Sequence, residues 1–131
     1  APIRAMLHVA YAFLPLGLAA CGLAAAGLVA TPPGMHLLGI GGIGGMTIAV
    51  MMRASLGHTG RALQAGPVLT LGFGCIAAAA VARALLAQSQ LAGLDGFTIA
   101  AILWTLGFLL FLVRIGPFLM KPNPARRRAN V

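Results

Sequence analysis

Between one charged residue and the next, this chain runs through apolar stretches too long for the core of a water-soluble domain. A bilayer crossing takes about 20 mainly apolar residues, and four such runs fit within 131 residues, at about 6–30, 36–52, 67–87 and 97–116. They use most of the chain and leave only short connections. Charged residues make up 8% of the sequence, against about 25% in a soluble domain, so there is too little polar surface to cover a globule. The expected fold is therefore all-α and integral to the membrane. It is an up-and-down bundle of four transmembrane helices in one domain, with the lipid bilayer as its first partner.

Nine Lys/Arg stand against a single acid, Asp95, for a net charge of +8. Such a balance can mark a nucleic-acid binder, but that needs basic residues grouped on a polar folded surface. Here they sit at the ends of apolar runs, which excludes nucleic acid. Counting Lys/Arg on each side orients the chain. Arg4, Arg53, Arg61, Lys121, Arg126, Arg127 and Arg128 fall on one side, with Arg114 in reach of it, while the first and third loops hold none. Both termini are expected in the cytoplasm.

Local signals refine the spans. Pro15 is tolerable inside span 1, because neighbouring helices can satisfy the freed carbonyl. Ala19 to Gly27 is small enough to pack closely on other helices, and Thr31-Pro32-Pro33-Gly34 is expected to stop the span. Span 2 is short and rich in glycine, and a loop from Arg53 to Gly66 follows it. Pro67 opens span 3 at a position where its missing N–H costs nothing, and Arg83 near its end can snorkel. Asp95 suits the N-cap of span 4, Gly116-Pro117 its end, and the basic tail 121–131 reads as disordered. Cys21 and Cys75 fall at different depths by helical rise, so no disulfide is expected.

The sequence lacks a hydrolase elbow, a phosphate-cradling loop and a paired-cysteine metal motif. One acid cannot make a carboxylate dyad, so no catalytic residue is assigned and a binding role is expected. Imidazole suits copper, zinc and haem iron, and thioether sulfur suits Cu(I). His8 and His58 fall on the same side and could meet. His36 opens span 2 on the other side, roughly 25 Å away along ~17 residues. Met46, like Met6, Met51 and Met52, is either a soft ligand or flexible packing. Arg53 and Arg61, around Ser55, His58 and Thr59, could hold an anion or haem propionates, or simply mark the cytoplasmic side. Gly41 and Gly45 have the four-residue spacing that lets two helix backbones touch. They make self-association, as in an oligomeric transporter or channel module, a competing reading. A cofactor-free packing module is a third.

The stretch from His36 to Leu63, HLLGIGGIGGMTIAVMMRASLGHTGRAL, resembles the NnrS family of bacterial membrane proteins. Leu103-Trp104-Thr105-Leu106-Gly107-Phe108 and Arg114-Ile-Gly116-Pro117 are similar to the family's last span. The resemblance implies haem and/or copper as cofactors, the bacterial inner membrane as location, and a role in denitrification and nitric oxide tolerance. It also implies a longer, many-span relative, of which this chain would be the C-terminal third. The matching positions are His36, Met46, Arg53, Ser55, His58, Thr59 and Arg61. With His8 they give the candidates: His58, Arg53, Arg61 and His8 around a cofactor, and His36, His58 and Met46 on a metal.

Overall fold

The computed structural model of the protein describes residues 2–86, 89–91 and 93–122. Four helices alternate in direction: α1 (Pro2–Ala25), α2 (Pro32–His58), α3 (Gly66–Leu85) and α4 (Gly96–Met120). Each is long and apolar enough to cross a membrane, so the chain is a multi-pass membrane protein. A small antiparallel ribbon, β1 (Gln90–Leu91) with β2 (Leu94–Asp95), joins α3 to α4.

The surface is apolar where a soluble bundle would be charged. Leu16, Leu18, Leu71, Leu112 and Val113 all point outward. Ile48, Met52, Leu69, Ile76 and Ile115 fill the interior. Lipid tails are as apolar as leucine, so helix association here rests on close packing rather than on escape from water. The glycines supply it. Gly72 of α3 and Gly107 of α4 meet backbone to backbone, and a Cβ at Gly107 would stand 2.8 Å from the Gly72 carbonyl oxygen. At α1 and α2, Leu38 covers Gly17 and the Cys21 thiol covers Gly34. Both cysteines are free.

Helix α2 departs most from the sequence expectation. It extends over 27 residues, and its stretch Leu37–Gly44 is wound as a π-helix. Four of those eight residues are glycines, and missing side chains on both flanks let two rings press on the backbone. Phe13 of α1 lies against Gly41, and Trp104 of α4 lies against Gly44. Gly45 meets Ala10 of α1. The face carrying Gly41 and Gly45 is thus filled from within the chain. Contact between helices of one chain is what the four-residue spacing serves here.

Two helix ends also differ for clear reasons. Helix α1 stops at Ala25, ahead of the prolines. Gly27 takes φ 75°, Gly27 N–H donates to the Ala24 carbonyl, and Leu28 N–H donates to that of Leu23. This is a Schellman cap, in which a left-handed glycine lets the chain satisfy the last carbonyls. Pro32 and Pro33 then open α2, and most of Ala19 to Gly27 is exposed rather than closely packed. Helix α4 runs through Gly116 and Pro117 to Met120. Ala87 and Gln88, at the expected end of span 3, and the tail from 123 to 131 lie outside the described residues.

Asp95 caps α4 as its sequence position suggested. The Thr98 backbone N–H donates to Oδ1 at 2.7 Å, and that donation holds the carboxyl below its usual range.

Candidate functional site

Alternating helix directions gather the start of α1 and the ends of α2 and α4 at one basic end of the bundle. Arg4, His8, Arg53, His58, Arg61 and Arg114 all belong to it.

The motif Gly57-His58-Thr59-Gly60-Arg61 is first of all a helix terminus. Arg53, Ser55 and His58, expected in a loop, are helical. Gly60 takes φ 66°, its N–H donates to the Gly57 carbonyl, and Arg61 N–H donates to that of Leu56. A second Schellman cap results. The buried Thr59 adds its hydroxyl, which donates to the Ser55 carbonyl at 2.6 Å.

The Arg61 side chain then ties this terminus to α4. Its guanidinium lies 4.0 Å over the Phe118 ring and donates to the Thr59 and Phe118 carbonyls at 3.2 and 3.4 Å. Arg114 approaches the same ring at 4.8 Å. Arg61 is therefore engaged in holding the bundle closed.

Arg53 and His58 are exposed and share a shallow groove of about 300 Å³ with Val50, Gly57 and Leu63. His8 is exposed one turn beyond Arg4, and its Nδ1 bonds the Arg4 carbonyl at 2.7 Å. A carbonyl oxygen only accepts, so Nδ1 donates the hydrogen of this bond, and Nε2 is the ring nitrogen that this bond leaves available. Met46 is half-buried in mid-helix and packs on the core. It is roughly 15 Å along the axis from His36 and further from His58, so these three cannot form one ligand set within the chain. Among the described residues, no three His, Cys, Asp or Glu side chains come together.

The opposite end holds a constellation the sequence reading largely missed. Arg83, expected only to snorkel, is half-buried with its guanidinium 3.7 Å over the Phe97 ring. His36 lies within its electrostatic reach. The His36 Nδ1 is shielded from solvent, and the group it faces is the Pro32 carbonyl one turn back along the helix. A groove of about 550 Å³ opens beside Arg83, between Ile40, Phe97 and Trp104. The available signal was that Arg83 is the lone cation between Arg61 and Arg114 in a chain with one acid.

Neither the curated proteins nor the solved structures include a match to the chain. The model of the NnrS protein family matches residues 1–123. The chain belongs to the NnrS family, membrane proteins associated with the response to nitric oxide.

Proposed function

We propose that the chain binds haem at its basic end and serves nitric oxide tolerance from the bacterial inner membrane, with that end in the cytoplasm. The orientation follows from the Lys/Arg asymmetry. The observation that carries the cofactor reading is His8. Its ring is held through Nδ1 by the Arg4 carbonyl at 2.7 Å, which leaves Nε2 for a metal. Metal-binding histidines are commonly fixed in this way through their second nitrogen.

The residues fit haem better than a copper site made by this chain alone. A haem iron can be held by one proximal imidazole, whereas copper centres draw on several side chains. Bound haem would supply an iron able to take nitric oxide as a ligand. His8 would hold the iron through Nε2, and the Arg4 carbonyl would keep its ring from turning. Arg53, exposed beside His58 in the shallow groove, has the charge and planar donor fork that suit a propionate. Arg61 supports the site indirectly, by fixing the end of α2 against Phe118.

Haem titrated into protein produced without it, and followed by absorption, tests this reading. His8→Ala is expected to lose most of the binding, and Arg53→Gln to weaken it while keeping the spectrum. Full binding by His8→Ala would overturn the assignment. Copper measured on the same samples is expected to be well below one per chain.

A further inference from the structure

Arg83 is a cation without a counter-charge. It is half-buried, and among the described residues it makes no ion pair. The sequence's sole acid, Asp95, is engaged as the cap of α4 through Thr98. The Phe97 ring at 3.7 Å offsets part of the cost of partial burial, but it supplies no anion. Arg83 also sits in the last turn of α3, which ends at Leu85, so it lies close to where a bilayer's phosphates begin.

Two grooves meet at it, and a third adjoins one of them. Above the guanidinium, one of about 510 Å³ is lined by Pro32, Pro33 and Ser89. Below it lies the groove of about 550 Å³ between Ile40 and Trp104. That groove shares Thr98, Ala101 and Thr105 with a third cavity, of about 510 Å³, which continues along α4 to Leu106 and Leu109. The arrangement is a charged head with an apolar track running from it toward the middle of the membrane.

We propose that Arg83 and these grooves bind an anionic phospholipid, its phosphate at the guanidinium and one acyl chain along α4. A guanidinium presents a rigid donor fork that matches phosphate geometry. Charge complementarity selects an anionic lipid over a zwitterionic one, whose own ammonium competes for the phosphate. The track explains why a lipid, rather than free phosphate, is the occupant.

Trp104 lines the groove and is the chain's single tryptophan, so its fluorescence reports on the site. The full chain is reconstituted in phosphatidylcholine vesicles containing a small fraction of bromine-labelled phosphatidylglycerol or bromine-labelled phosphatidylcholine. Labelled phosphatidylglycerol is expected to quench Trp104 more strongly at equal mole fraction. Arg83→Gln is expected to remove that excess, since a charge-assisted contact contributes roughly tenfold or more in affinity. Ala101→Phe, at an exposed position, keeps Arg83 but fills the track and is expected to reduce quenching by both lipids. Millimolar inorganic phosphate is expected to leave the excess in place. Equal quenching by the two lipids overturns the proposal. So does an excess that survives in Arg83→Gln, quenching unchanged by Ala101→Phe, or an excess abolished by inorganic phosphate.

Discussion

Gly72 and Gly107 let α3 and α4 touch through their backbones: a Cβ on Gly107 would stand 2.8 Å from the Gly72 carbonyl oxygen and 2.7 Å from Ile76 Cδ1. Gly107→Ala should therefore force the two helices apart, at a cost of about 1–3 kcal/mol, as overpacking usually does. Gly74→Ala is the control, because nothing lies within 4 Å of its would-be Cβ. It should be neutral or stabilising by about 0.5–1 kcal/mol, since alanine is the better helix former. Unfolding in detergent compares them, and equal effects would contradict the packing account.

The Gly41 face predicts a coupling inside the chain. Gly41→Ala meets the Phe13 ring and should destabilise, while Phe13→Ala makes room for it. The double variant should recover part of the loss, with an interaction of roughly 0.5–3 kcal/mol for residues in contact. Mass in detergent should not change with Gly41→Ala. A fall from oligomer to monomer would mean that the face is shared between copies instead.

The end of α2 rests on Gly60 in a left-handed conformation, φ 66°. Gly60→Ala should cost about 1–2 kcal/mol, whereas Gly57→Ala meets only Leu63 Cδ2 at 3.8 Å and should cost much less. Arg61→Ala removes the contact with Phe118, worth roughly 0.5–2 kcal/mol. Its clearest signature is faster hydrogen exchange in the segment after Thr59, with the middle of α2 unaffected.

Asp95 makes the start of α4 sensitive to acid. Its folded carboxyl is held below the usual range by the Thr98 N–H. The capping contribution is therefore complete above the unfolded carboxylate value of about 3.9 and is lost as pH falls through the depressed folded value. Asp95→Asn, which does not ionise, should flatten the stability profile in that window. A variant profile as steep as the parent's would exclude Asp95 as its source.

The four crossings are legible in the sequence because a bilayer imposes length and apolarity directly, as in the run from Phe97 to Val113 before Arg114 interrupts it. The Asp95 cap is legible too, because capping is local. The course of α2 is not. Arg53 and His58 look like loop residues when charge is read as a stop, but a helix can carry them through its last turns into the interface. Gly60, not Arg53, ends α2, because its left-handed backbone supplies the cap.

Tertiary contact hides the rest. Gly41 and Gly45 have the spacing of a helix-pairing motif, and only the arrival of Phe13 and Ala10 shows which helix fills it. Arg83 reads alone as a snorkelling residue, and only the return of α4 places Phe97 under its guanidinium. His8 was a candidate from its residue type, but the Arg4 carbonyl that fixes its tautomer is visible only once α1 is built.

The most direct test of the haem reading is an absorption spectrum of protein purified from haem-replete cells, reduced and then exposed to nitric oxide without oxygen. A Soret band that shifts on nitric oxide addition and is largely lost in His8→Ala is the expected result. Well-folded protein with no Soret band, or with one that nitric oxide leaves unchanged, would contradict it.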